Sequence, residues 1–271
     1  MTALDVARLN VSLGGKTIVT DVSLAVETGE WCTIIGPNGA GKSTVLNAVA
    51  GLIPGDGKIS YWGRPFAGIS RRQRARQVAV VPQNPTVPTG MSVFDYVLLG
   101  RNPHVPPLGR ESAHDLEVAW DVCKQLSLVE FSQRELETLS GGERQRAFLA
   151  RALAQLSGTE HGLLLLDEPT SALDIGHQQE VLDLVDDLRT DAQLTVITSM
   201  HELSIAGEYA DRLLLLVGGR RVACGAPRDV LTEELISRHY RARVKIVDTG
   251  TGPAVVPARR SRGNGQDESD G

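Results

Sequence analysis

The run Gly36-Pro37-Asn38-Gly39-Ala40-Gly41-Lys42-Ser43-Thr44 fixes the centre of this fold, because it follows the apolar stretch Trp31–Ile35 and opens the helical pattern Lys42–Ala50. Strand, glycine turn and helix in that order, at the spacing G-x-x-x-x-G-K-[ST], make a phosphate cradle. The glycines let backbone N–H groups turn toward phosphate oxygens, and the helix start adds partial positive charge. Lys42 is placed to reach β- and γ-phosphates, and the Ser43 hydroxyl to ligate Mg²⁺. Gly36, Asn38, Gly39, Gly41, Lys42, Ser43 and Thr44 are therefore the candidate phosphate contacts. A glycine turn with a chance Lys-Ser pair would not require that context.

Further apolar stretches at Val78–Val81, Leu163–Leu166, Leu194–Thr198 and Leu213–Val217 are each followed by a turn and a helix-like pattern. That alternation predicts an α/β protein with a largely parallel sheet. Val6–Leu13 and Val22–Val26 read as antiparallel strands around the turn Gly14-Gly15, with Lys58–Trp62 joining them. Residues 86–157 carry helical spacing instead, as in Val93, Tyr96, Val97 and in Leu116, Val118, Ala119, Val122. The expected organisation is a P-loop NTPase core over 1–85 and 158–245, a mostly parallel sheet flanked by helices, with an N-terminal antiparallel β-subdomain. A helical subdomain over 86–157 is inserted into that core. Arg243–Val247 and Ala254–Val256 predict a hairpin within 243–257, and 258–271, with nothing to bury, is expected to be disordered.

With a formal net charge of −5, the chain has no global basic field to hold nucleic acid, and no nucleic-acid partner is expected. The basic run Arg71, Arg72, Arg74 and Arg76 is the local exception and reads as a solvated helix face. Cys32, Cys123 and Cys224 lie far apart, which suits a reducing cytosol and gives no disulfide or thiolate framework. No apolar run approaches the roughly 20 residues of a membrane-spanning helix. The first residues show no secretion signal either, so the expectation is a protein that is soluble or held at a membrane by a partner.

Two more runs bear on chemistry. Leu163-Leu164-Leu165-Leu166 would bury a central strand, setting Asp167 and Glu168 at its C-terminal end, where open α/β sheets bind ligands. Asp167 is placed to hold the Mg²⁺ shell, and Glu168 to act on an attacking water as general base or orienter. Leu139-Ser140-Gly141-Gly142-Glu143-Arg144-Gln145 precedes a helix with Ala147, Ala150, Leu153 and Ala154 on one side. Ser140 and Glu143 fit a capping box, while the two glycines expose N–H groups as a second anion site. That loop lies on the helical insert, away from the chain's own cradle; a second copy arranged head to tail could supply it.

Taken together, these motifs resemble the nucleotide-binding subunit of ATP-binding cassette transporters, over roughly residues 4–257. The resemblance implies ATP and Mg²⁺ as ligands and assigns further roles. Gln83 in Val-Pro-Gln would sense Mg²⁺ and the attacking water and link the helical insert to the core; His201 would contact the γ-phosphate. Asp174 would bridge two protomers, which with Ser140, Gly141 and Gly142 completes the partner's site in trans. It also implies membrane permease subunits as partners, a substrate-binding protein indirectly, and a peripheral place on the cytoplasmic face of the membrane. Leu99-Gly100-Arg101-Asn102-Pro103-His104 and Leu173-Asp174-Ile175-Gly176-His177-Gln178 are similar to the subgroup importing iron chelates, haem and cobalamin. Both stretches are expected on surfaces or interfaces, with His104 and His177 structural.

One position departs from the family. Where an aromatic side chain usually stacks on adenine, this sequence has Leu13, which predicts loose base selectivity. The rival readings are a soluble ATPase of the same superfamily acting on DNA or ribosomes, and a small-molecule kinase or GTPase. The first usually carries a coiled-coil insert or two cassettes; the second would leave the Ser140–Gly142 loop without a task.

Overall fold

Four leucines in a row, Leu163–Leu166, are all fully buried, as a strand with parallel neighbours and covered faces requires. The computed structural model describes residues 1–171 and 173–259, so most of the segment expected to be disordered lies outside the described residues. Among the described residues, the larger sheet has the order β10 (Arg220–Gly225), β9 (Arg212–Val217), β3 (Trp31–Ile35), β8 (Thr195–Met200), β7 (Leu163–Asp167), β6 (Val78–Val81). All its pairings are parallel except that of the edge strand β10 with β9.

The antiparallel sheet is built from β1 (Thr2–Leu13), β2 (Lys16–Glu27), β4 (Asp56–Tyr61) and β5 (Arg64–Pro65). Its order β2-β1-β4-β5 joins the three strands expected from the sequence, and β1 and β2 turn at Gly14-Gly15. Alternate residues of the central strands sort into two apolar layers. Cys32, Ile34, Leu163 and Leu165 share one with the antiparallel sheet and with Val45, Leu46 and Val49 of α1 (Lys42–Ala50). Trp31, Ile35, Leu164 and Leu166 share the other with the remaining long helices. Polar atoms inside the sheet are paired: Thr33 and Thr198 meet hydroxyl to hydroxyl at 2.7 Å, and Trp31 Nε1 donates to Thr198 at 3.1 Å.

Ahead of β6 runs α2 (Arg71–Gln77), closed by a capping box of Ser70 and Gln73. Two of its four arginines form a clamp rather than a solvated face, while Arg71 remains exposed. Arg72 and Arg76 both donate to the Pro103 carbonyl at 2.9 Å, and Arg72 also reaches the carbonyls of His104 and Val105. The guanidinium fork of Arg72 thereby satisfies three consecutive backbone carbonyls.

Beyond β6 come α3 (Val93–Leu98), α4 (Ala113–Gln125) and α5 (Gly141–Leu156), packed through Val93, Tyr96, Val97, Ala119, Val122, Leu149 and Leu153. Within the stretch Leu99–His104, Gly100 and Arg101 are buried in this packing, while Asn102 is exposed and Leu99, Pro103 and His104 are half-buried. Arg101 is 3% exposed and pairs with Asp115 at 3.0 Å, while its Nη1 donates to the carbonyls of Ala154 and Ser157. His104 Nε2 meets the Gln155 carbonyl at 2.9 Å. After β7 follow α6 (Ile175–Asp191), α7 (Leu203–Tyr209), α8 (Pro227–Val230) and α9 (Glu233–Tyr240). The hairpin of β11 (Val244–Asp248) and β12 (Pro253–Pro257) packs back on α7, where Val255 N–H donates to Ser204 Oγ at 3.0 Å. No described helix is long and apolar enough to cross a membrane.

Candidate active site

β3 ends at Ile35, and the chain turns so tightly that a Cβ on Gly36 would lie 2.1 Å from the Leu216 carbonyl oxygen. No side chain fits there, which is why this residue must be glycine. Gly41, at φ 98°, closes the cradle in a left-handed conformation and starts α1. Lys42, the first residue of that helix, is only 5% exposed, and its Nζ donates to the Gly36 carbonyl at 3.0 Å. Burial lowers its pKa, and the nearby carboxylates of Glu168 and Asp167 act in the opposite direction.

The end of β7 supplies the acids. Ser43 Oγ donates to Asp167 Oδ1 at 2.9 Å, and Ser199 Oγ donates to the same oxygen at 2.5 Å. Ser199 also accepts the Glu168 N–H at 3.1 Å, so one hydroxyl on β8 fixes both acids. Ser199, two residues ahead of His201, is not among the residues that the sequence motifs single out. A serine closing a buried strand was the available signal. Glu168 holds φ 50°, a left-handed conformation that costs a residue with a Cβ roughly 1–2 kcal/mol.

Glu168 is also where Gln83 and His201 converge. Gln83 Nε2 donates to Oε2 of Glu168, and His201 Nε2 meets Oε1. On its other side, His201 Nδ1 lies 3.3 Å from Lys42 Nζ. An ammonium can only donate, so Nδ1 accepts and the imidazole proton sits on Nε2, facing the carboxylate. The cradle, both acids, Gln83 and His201 thus form one hydrogen-bonded cluster at the C-terminal ends of β3, β7, β6 and β8.

The second loop lies elsewhere. Ser140 caps α5, accepting the Glu143 N–H at 3.3 Å while the Ser140 N–H donates to Glu143 Oε2 at 2.8 Å. The Ser140 N–H and then the Ser140 hydroxyl, both acting on the carboxylate, lower the pKa of Glu143. Among the described residues, no hydrogen bond joins Ser140, Gly141 or Gly142 to the cradle. Asp174, capping α6, does not touch the cradle either; it accepts from the His177 N–H at 3.0 Å. Leu13 ends β1 at 41% exposure.

The donor set suits the ligands that the motifs imply. Ser43, Asp167 and Gln83 offer hard oxygens, and no side-chain hydrogen bond occupies Asp167 Oδ2 among the described residues. Mg²⁺ prefers such a site, with few protein ligands and the rest from phosphate and water. No described cluster of three His, Cys, Asp or Glu competes as an all-protein metal cage.

A parallel sheet with a phosphate cradle at its switch point, two acids beside it and an antiparallel β-sheet define a P-loop ATPase. Residues 19–171 match the family described as ABC transporter. The hemin import ATP-binding protein HmuV of Burkholderia thailandensis is 38% identical, over 94% of this chain and 100% of its own. The ferric enterobactin transport ATP-binding protein FepC of Escherichia coli is 36% identical, over 94% of this chain and 93% of its own. The cobalamin import ATP-binding protein BtuD of Halobacterium salinarum is 40% identical over 93% of this chain, which spans 63% of that relative's length. A solved ABC transporter chain in an inward-facing conformation, assigned to the metal-chelate type, superposes with a TM-score of 0.82 at 29% identity, over 96% of this chain and 99% of that one. The chain belongs to the ABC transporter family.

Proposed function

We propose that the chain is the ATP-hydrolysing subunit of an importer for an iron-siderophore, haem or cobalamin-type solute. Its relatives are named as ATP-binding proteins for hemin, cobalamin and ferric enterobactin. In this reading two copies pair head to tail and each pocket is shared. One protomer gives the cradle, Asp167, Glu168, Gln83 and His201, and its twin gives Ser140, Gly141, Gly142 and Asp174. The observation that carries it is the segregation just described: one cluster around Lys42, and a separate helix start where, among the described residues, the Gly141 and Gly142 N–H groups donate no hydrogen bond.

The chemistry follows from that sharing. Cradle N–H groups and Lys42 bind the β- and γ-phosphates, and the low-dielectric setting of Lys42 strengthens its attraction. Ser43, Asp167 and Gln83 would hold Mg²⁺, which when bound screens phosphate charge. Glu168 takes the proton of the attacking water, oriented by Gln83 on one oxygen and His201 on the other. In the same reading His201 would contact the γ-phosphate once nucleotide is bound.

Closure of the pair would draw the helical pieces (86–157) together on the cores (1–85 with 158–245). That movement is passed to permease subunits docked on them, which keep this chain at the cytoplasmic face of the membrane and in indirect contact with a substrate-binding protein. Hydrolysis reopens the pair. Co-expression with the membrane partner, followed by uptake into vesicles, tests this. ATP-driven accumulation of a siderophore, haem or cobalamin is expected, and Glu168→Gln should bind ATP yet stall it. ATPase stimulation by DNA or ribosomes, with no recovery on membranes, would contradict it.

A further inference from the structure

His177 has no part in the chemistry above, yet it lies where two trans-acting elements meet. Its ring rests on the start of α5: a Cβ on Gly142 would come within 2.7 Å of His177 Cδ2, and one on Gly141 within 3.3 Å of Leu173 Cδ2. On its other side Nδ1 is 2.8 and 2.9 Å from the two carboxylate oxygens of Asp174. The backbone N–H of His177 donates to the same carboxylate at 3.0 Å, fixing Asp174 as the cap of α6. Ile175, between them, is 84% exposed, so this corner presents both a charged and an apolar surface outward.

We propose that His177 is a positioning residue that ties the Asp174 loop to the Ser140–Gly142 helix start, so that both elements reach the twin's cradle as one preformed unit. The proposal rests on the paired-site reading and adds to it a reason for the run Asp174-Ile175-Gly176-His177. Two separately mobile elements would each lose conformational freedom on closure, and a tie made beforehand removes part of that cost.

Charge strengthens the tie. The hydrogen bond and attraction of Asp174 raise the His177 pKa; Glu180 on α6 acts in the same direction and Arg146 on α5 against it. The Asp174 pKa is lowered, first by the His177 N–H and then by the ring. A raised imidazole pKa means the charged pair is complete below the ordinary value of about 6.5 and fades as pH rises through the raised one.

The test uses the Glu168→Gln chain as parent, with ATP-driven dimerisation followed by sedimentation. His177→Ala should weaken dimerisation by roughly threefold per protomer, about tenfold for the symmetric pair, with binding of a fluorescent ATP analogue to the monomer unchanged. Parent dimerisation should weaken as pH rises above the ordinary imidazole value of about 6.5, and the alanine variant should lack that slope. His177→Gln, which keeps a donor without a titrating ring, should recover most of the affinity and none of the slope. A His177→Ala chain that dimerises as tightly as its parent, with the same slope, overturns this inference alone. A parent that never dimerises with ATP overturns the paired site and this inference together.

Discussion

Ser43 and Asp167, 124 residues apart, are joined by a single hydrogen bond of 2.9 Å from hydroxyl to Oδ1. The bond spans the sheet: Ser43 is the second residue of α1 beyond β3, Asp167 ends β7, and β8 runs between those strands. Ser199 on β8 donates to the same oxygen and so completes a bridge of three elements. Two hydroxyls from different elements thus converge on one carboxylate oxygen, and in the proposed Mg²⁺ site Ser43 and Asp167 would be ligands.

Removing one of these oxygens should therefore remove the metal's advantage before it removes the nucleotide. Ser43→Ala is expected to bind ATP with Mg²⁺ no more tightly than ATP with a chelator, whereas the parent gains markedly from the metal. Calorimetric titration with and without the cation checks this. An unchanged gain in Ser43→Ala would take that hydroxyl out of the site.

Lys42 separates activity from stability. Its ammonium is buried and its pKa lowered by that burial, so its charge weakens the ligand-free fold at neutral pH. Lys42→Ala should lose at least about 100-fold in turnover, as expected when a buried charge aimed at a developing anion is removed. The ligand-free melting temperature should not fall. A large fall would mean that the Gly36 contact holds the loop together in its own right.

Leu13 predicts base preference. It is 41% exposed at the end of β1, and an aliphatic side chain gives little of the roughly 1–3 kcal/mol that stacking supplies per base. ATP and GTP should be hydrolysed at rates within about tenfold of each other below saturation, and Leu13→Tyr should tighten ATP binding by about fivefold or more. Strong ATP preference in the parent would place the base contact elsewhere.

The buried pair Arg101–Asp115 governs stability far from the chemistry. Burial alone would raise the Asp115 pKa, but the hydroxyl and N–H of Ser112 and the guanidinium of Arg101 outweigh it and hold the pKa at about 2. A lowered carboxyl pKa stabilises fully above the ordinary value of about 4 and progressively less as pH falls toward 2. Asp115→Ala, which leaves Arg101 buried without its anion, should cost about 3 kcal/mol in urea unfolding at pH 7. That deficit should shrink on acidification; a pH-independent deficit would point to packing alone.

The sequence made the sheet and the cluster around Lys42 legible because both rest on local runs. Strands buried on both faces read as unbroken apolar stretches, and the cradle and acids sit directly at their ends. What escaped notice depends on distant partners. Arg72 and Arg76 look solvated until Pro103, His104 and Val105 present their carbonyls. Arg101 looks like a surface residue until Asp115, Ala154 and Ser157 enclose it. Ser199 gains meaning only through Asp167 and Glu168 on the next strand. The edge strand β10 went unread because its exposed, arginine-led half carries no strand-like apolar run.

ATP turnover per chain, measured as the protein is diluted, tests the shared pocket most directly. If each pocket needs a twin, turnover per chain should rise with protein concentration and level off where sedimentation shows closed pairs with ATP. A turnover per chain that stays constant down to concentrations where only monomers sediment would contradict the account.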